Sequence, residues 1–119
     1  MAKIMLVDDA AFMRMMLKTT LTQAGYTDLV EAEDGAKAVE LYSAEKPDLV
    51  FMDITMPNKD GLETLKEIKG MDPNATIVMC SAMGQETMVM DSIKSGAKDF
   101  IVKPFKPERI LSTVKKILG

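Results

Sequence analysis

Asp48-Leu49-Val50-Phe51-Met52-Asp53 holds four consecutive apolar residues closed by a carboxylate. A strand that is apolar at every position, rather than at alternate ones, is covered on both faces, as in a parallel sheet between two helical layers. Two further runs read the same way: Lys3-Ile4-Met5-Leu6-Val7, which ends in Asp8-Asp9, and Thr76 to Cys80, which ends in Ser81. These three are predicted to be central strands. Leu29-Val30-Glu31-Ala32 is broken by a charge, and Phe100-Ile101-Val102 is short and set between Lys98 and Lys103. Both are expected at the edges, where charge blunts further pairing.

Between the runs the apolar period changes to that of a helix. Met13, Leu17, Leu21 and Ala24 mark the first helix, Ala38, Leu41 and Tyr42 the second, and Leu62, Leu65 and Ile68 the third. Ile110, Leu111, Val114, Ile117 and Leu118 form a complete stripe in the last, with Pro107 suited to its first turn and Glu108 to its positive end. Gly25, Gly70 and Gly96 are expected just past helix ends, where the chain turns left-handed. Five strand-helix units fold into an α/β, flavodoxin-like, doubly wound (βα)5 domain, with strand order 2-1-3-4-5 and helices on both faces. The 119 residues are expected to form one domain, 1–119, with no output domain.

Composition narrows the function classes. Apolar residues make up 47% and charged residues 28%, with no apolar run near the length of a membrane span. The start, Met1-Ala2-Lys3, lacks the pattern of a secretory signal, and the single Cys80 lies inside a strand pattern without an intramolecular partner. A cytoplasmic protein is expected. The net charge of −3 conceals a basic end: residues 94–119 carry seven basic residues against Asp99 and Glu108. With one arginine and little aromatic interleaving there, no nucleic acid is expected. A docking surface for an acidic protein segment and a merely solvated face both remain open.

In the order 2-1-3-4-5, the ends of strands 1, 3, 4 and 5 bring Asp8, Asp9, Asp53, Ser81 and Lys103 to one rim, at the switch point where such sheets bind ligands. Strands lie about 4.8 Å apart, so Asp9 and Asp53 are close, and the long Lys103 suits the strand two spacings away. Two carboxylates about 4 Å apart repel by roughly 4 kcal/mol at an effective dielectric of 20, so a cation must compensate. Carboxylates with no histidine and no cysteine cluster in the chain favour Mg²⁺ over zinc. Asp53 is then a candidate nucleophile that forms an aspartyl phosphate, with Lys103 and Ser81 stabilising charge on the transferring oxygens. Taken singly, Asp8 or Asp9 reads as a helix cap, Asp53 as a turn residue before Pro57, Lys103 as a solvated edge charge and Ser81 as a cap or turn residue. Their conjunction on one rim is what points to chemistry.

Asp8-Asp9, Asp53-Ile54-Thr55-Met56-Pro57 with Asp60-Gly61, Ser81-Ala82 and Lys103-Pro104-Phe105 together resemble the receiver domain of bacterial response regulators, over essentially the whole chain. The resemblance implies that Asp53 is the phosphoacceptor. It further implies that Asp8, Asp9, Asp53 and the Thr55 backbone carbonyl bind Mg²⁺, that Ser81 and Lys103 contact the phosphoryl group, and that the bond before Pro104 is cis. The run from Asp8 to Met16 and the lack of an effector domain resemble stand-alone chemotaxis regulators. These imply a chemotaxis-type histidine kinase as donor and a flagellar motor switch protein as partner, with room for a dedicated phosphatase. The docking face would be the fourth helix, fifth strand and fifth helix of a monomer that binds neither nucleic acid nor membrane.

Phe100 stands where the family has its switch aromatic, often tyrosine; from the residues alone it reads as a core phenylalanine. Ser81 and Phe100 would be the switch pair. Thr55 and Met83, two residues after Asp53 and Ser81, stand where the resemblance implies that the family varies its dephosphorylation rate. An apolar Met83 cannot orient an attacking water by hydrogen bond, so slow hydrolysis of the phosphoryl group is expected. Met88, Val89, Met90 and Ile93 spread too widely for one narrow stripe, which leaves either exposure on the fourth helix or burial under loops. Other outputs for a stand-alone receiver are relay to a histidine phosphotransferase, as in sporulation-type relays, and sequestration of a partner. An aspartyl-nucleophile phosphatase is a distant alternative, because Thr55 stands where a general acid is needed and nothing is long enough to form a cap.

Overall fold

Alternate residues of each central strand enter opposite cores. Met5, Val7, Val50, Met52, Ile77 and Met79 join one buried cluster. Ile4, Leu6, Leu49, Phe51, Val78 and Cys80 join the other. That two-faced burial is why the strands read as unbroken apolar runs.

The computed structural model describes residues 2–56 and 59–119. Among the described residues, five strands alternate with five helices: β1 (Ile4–Val7), α1 (Ala11–Gln23), β2 (Leu29–Ala32), α2 (Gly35–Glu45), β3 (Leu49–Asp53), α3 (Gly61–Met71), β4 (Ile77–Ser81), α4 (Glu86–Lys94), β5 (Asp99–Val102) and α5 (Pro107–Leu118). The strands form one parallel sheet in the order β2-β1-β3-β4-β5, with the predicted edge strands at the edges. The fold is flavodoxin-like. Helices α1 and α5 supply Leu17, Leu21, Ile110 and Val114 to one face. Helices α2 and α3 and α4 supply Ala38, Tyr42, Leu65, Ile68 and Val89 to the other. Among the described residues, no helix is long and apolar enough to cross a membrane.

Local signals set the helix limits. Asp34 and Asp60 cap α2 and α3, each accepting a backbone N–H three residues on at 2.8 Å. Pro107 and Glu108 occupy the first turn of α5, and Lys115 and Lys116 its last, in keeping with the helix dipole. Gly25 and Gly96 follow α1 and α4 with φ of 96° and 109°, as a left-handed exit requires. Gly70 does not do so. It lies inside α3, whose last turn continues to Met71, and the chain leaves through Asp72 in extended conformation.

Gly61 has a different task. A Cβ built there would lie 2.1 Å from the Asp53 carbonyl oxygen and 2.8 Å from the Ile54 Cα, and its own N–H donates to the Ile54 carbonyl at 2.7 Å. The start of α3 is thus pressed against the end of β3. The two glycines predict opposite outcomes in thermal unfolding. Gly70→Ala meets nothing within 4 Å and should stabilise the domain by about 0.5 kcal/mol through the helix preference of alanine. Gly61→Ala should destabilise it by about 1–3 kcal/mol, because backbone rather than a flexible side chain must move.

Candidate functional site

The register aligns the carboxyl ends of the strands. Val7 pairs with Met52, Asp53 with Cys80, and Ser81 with Val102. The residues that follow are therefore delivered to one rim. Asp8 is 2% exposed and Asp53 6%. Asp8 is held by its own N–H, which donates to the Ala32 carbonyl at 3.2 Å, and by the Arg14 guanidinium, which donates to its carbonyl. Arg14 in turn pairs with Glu31 of β2 at 3.1 Å. Asp8 is not the cap of α1: its Oδ1 accepts the Ala10 N–H at 2.9 Å, and Ala10 stands at the cap without a side-chain bond.

Lys103 crosses from β5 to both carboxylates, its Nζ lying 3.0 Å from Asp8 Oδ2 and 3.0 Å from Asp53 Oδ1. Its own N–H donates to the Ser81 carbonyl at 2.7 Å, and the Lys103–Pro104 bond is cis. Oxygens of Asp8, Asp9 and Asp53 lie within 4.8 Å of one another, Asp9 being the exposed member. Three carboxylates thus face one ammonium. The remaining negative charge, offered by hard oxygen donors alone, suits Mg²⁺ rather than a softer metal.

Burial pushes the Asp53 carboxyl above the usual aspartate range; Asp8 and Asp9 add to the push and Lys103 opposes it. For Lys103, burial works against the charge, but its bonds to Asp8 and Asp53 outweigh it and raise its pKa. Cys80 beneath the rim is fully buried, which raises its thiol pKa and keeps it unreactive.

The other sequence candidates take their places around this triad. Ser81 ends β4 and is buried. Thr55 is exposed just past β3, and its hydroxyl accepts from the Gln85 side-chain amide. Phe100 is not a core residue: it is 37% exposed and, with Ser81, lines a groove of about 680 Å³ between α4 and β5. Val89 is buried in α4, Met88 is partly buried, and Met90 and Ile93 are exposed at 60% and 43%. Pro57 lies outside the described residues.

Two residues escaped the sequence reading. Arg14 falls inside the run from Asp8 to Met16, but nothing in that run marks its hold on the Asp8 carbonyl. Gln85 follows Gly84, whose φ of 90° turns the chain so that the Gln85 Oε1 accepts the Ala82 N–H at 2.6 Å. The turn glycine before a carboxamide was the available signal.

A metal-free measurement tests the charge imbalance. Because the folded-state pKa of Asp53 is raised, its ionisation opposes folding above the aspartate range, and that opposition vanishes once pH falls below the ordinary pKa of about 3.9. Asp53→Asn should therefore melt a few degrees above the native protein at pH 7 without divalent ions. The difference should shrink towards zero as the melts are repeated down to pH 3.

A model of the response regulator receiver domain matches residues 4–115. Chemotaxis protein CheY of Bacillus subtilis strain 168 is 59% identical over 117 residues, spanning 98% of each chain. Chemotaxis protein CheY of Thermotoga maritima is 56% identical and spans 97% of this chain and 96% of that one. Among solved structures, the CheX-CheY-BeF3-Mg²⁺ complex from Borrelia burgdorferi matches with a TM-score of 0.93 at 37% identity, covering 99% of this chain and 90% of the other. With the sheet order, the rim and these likenesses in agreement, the chain belongs to the response regulator receiver family, among relatives that are chemotaxis regulators.

Proposed function

We propose that this chain is a single-domain response regulator that accepts a phosphoryl group on Asp53 from a chemotaxis-type histidine kinase and, once modified, binds the flagellar motor switch. The observation that carries this reading is Lys103, poised at 3.0 Å from both Asp8 and Asp53 on a rim with surplus negative charge. Asp8, Asp9 and Asp53 would hold Mg²⁺ together with the Thr55 carbonyl. The bound ion would supply charge neutralisation for an incoming phosphate. The Mg²⁺ and BeF3 in the Borrelia burgdorferi complex support the same requirement here.

The chain's own part follows from charge. An Asp53 carboxylate oxygen attacks phosphorus, the O–P bond forms, the P–N bond of the donor phosphohistidine breaks, and the released imidazole nitrogen takes a proton from solvent. Asp53 thereby loses its own charge and gains a phosphoryl group of about −1.5 to −2. Lys103 has less reason to stay on the Asp53 oxygen and is drawn to the phosphoryl oxygens, while the Ser81 hydroxyl donates to another.

Output is supported by the groove between α4 and β5. It is lined by Met83, Val89, Met90, Ile93, Phe100 and Val102, with one charge of each sign, Glu86 and Lys94. An amphipathic segment fits the apolar trough, and the basic excess of residues 94–119 favours acidic residues on that segment. Ser81 and Phe100 line the same trough. A Ser81 drawn inward leaves room into which the Phe100 ring can turn, the packing switch of this reading. The CheX-CheY complex from Borrelia burgdorferi supports a further protein partner, for which a dedicated phosphatase is the proposed class. A relay role gains from Phe12 and Met15, 69% and 62% exposed on α1 just beyond Asp8-Asp9, which offer an apolar patch to a phosphotransfer partner.

Intact mass after incubation with a small-molecule phosphodonor is the direct test. The native protein should gain one phosphoryl group only with Mg²⁺, and Asp53→Asn none. Met83 is 84% exposed and its weakly accepting thioether is a poor group to orient an attacking water, so the modified protein should lose its phosphoryl group slowly. Met83→Asn should shorten its lifetime in the same mass measurement.

A further inference from the structure

The sheet ladder between β3 and β4 ends where the Ile54 N–H donates to the Cys80 carbonyl at 3.0 Å. Continued by register, the next positions would set Thr55 opposite Ala82. The strands instead part, and the side chain of Gln85 bridges the two ends. Its Oε1 accepts the Ala82 N–H at 2.6 Å, and its Nε2 donates to the Thr55 hydroxyl. Both ends of one carboxamide are thus used across the opening between Asp53 and Ser81. Gln85 is also the residue at the start of α4, where its side chain caps no helix N–H.

We infer that Gln85 is a positioning residue that latches this opening until Asp53 is phosphorylated. The inference rests on the phosphoacceptor reading above. A phosphoryl group on Asp53 extends that side chain towards the opening and brings three strong acceptor oxygens with charge. The Ala82 N–H, adjacent to Ser81, is the donor there that a neutral carboxamide now occupies. A charged oxygen is the stronger acceptor and displaces the amide. Gln85 then leaves both Ala82 and Thr55. Its release frees the first turn of α4, the helix that carries the exposed Met90 and Ile93. Gln85 thereby links the state of Asp53 to the position of α4 through two named hydrogen bonds.

The latch holds back the transfer it later signals, and removal should speed acceptance. Gln85→Met keeps side-chain length and charge and removes both bonds. With a small-molecule phosphodonor and saturating Mg²⁺, its initial rate of phosphoryl gain should exceed the native rate about fivefold, the worth of one neutral hydrogen bond. Gln85→Glu, a charged acceptor for the same N–H, should be slower than native. In ¹H–¹⁵N spectra of the native protein, the Gln85 side-chain amide and the Ala82 N–H should both move on phosphorylation. In Gln85→Met the Ala82 resonance should already be displaced before phosphodonor is added. Native-like rates in Gln85→Met, with a Gln85 amide that does not move on phosphorylation of the native protein, would overturn the latch and leave the phosphoacceptor reading standing. Absence of phosphoryl gain in the native protein in this assay would overturn both.

Discussion

Everything at the carboxyl edge of the sheet is arranged around one electrostatic problem, the burial of Asp8 and Asp53 side by side. Carboxylates taken out of water on neighbouring strands repel each other and lose hydration, and a folded chain tolerates this only with compensation. Lys103 provides part of it from β5, at 3.0 Å from each. Removing that ammonium would leave two buried anions facing each other, so the pair is better seen as a constraint on the fold than as a source of stability. The residual negative charge is then an unmet demand for a cation, which is how a structural cost becomes a binding function.

The sheet is what makes this placement possible. Parallel strands all end at the same edge, and the order β2-β1-β3-β4-β5 makes the two acid-bearing strands immediate neighbours. Close contact between α3 and the end of β3 at Gly61 then fixes the Asp53 backbone from behind, while Arg14 ties the Asp8 carbonyl to Glu31 on β2. The acid pocket therefore rests on ties to α1, β2 and α3, which have no part in the proposed phosphoryl chemistry, and on Lys103 just beyond β5, which does.

Much of this was legible in the sequence because burial on both faces leaves a one-dimensional trace. Leu49-Val50-Phe51-Met52 has no polar interruption, so its central position needed no tertiary information. The charge in Leu29-Val30-Glu31-Ala32 marked an edge for the same reason in reverse. Asp8, Asp9, Asp53, Ser81 and Lys103 were legible as a group because each closes an apolar strand run or lies just past one. Gly70 misled because a glycine one residue inside a helix end and one just beyond it look alike in sequence; only the continuation of α3 to Met71 separates them. Phe100 was hard to place because the two faces of an edge strand differ: Ile101 enters the core beside Val78 and Cys80, whereas Phe100 looks into the α4 groove. Arg14 and Gln85 act through loop and backbone atoms, and hydrogen bonds of that kind leave no periodicity to read.

In the proposed reading, the way β5 is pinned decides what can move. The Lys103 N–H is bonded to Ser81, the Phe100 carbonyl accepts from Arg109 at 2.9 Å, and the Phe100 N–H donates to Asp99 at 2.8 Å. With the backbone of this strand held along its length, the freedom left lies in the Phe100 ring and in the loop that leads into α4. A phosphoryl group can shift such an equilibrium only by its differential interaction with the two arrangements. Exchange of one neutral hydrogen bond for a charged one is worth about 1 kcal/mol, while a full reversal of populations from 1:99 to 99:1 needs about 5.5 kcal/mol. No single contact at Asp53 supplies that. The movement of Lys103, the Ser81 hydroxyl and the backbone N–H of Ala82 must act together, and a regulator built this way gives a graded response when any one of them is removed rather than an abrupt loss.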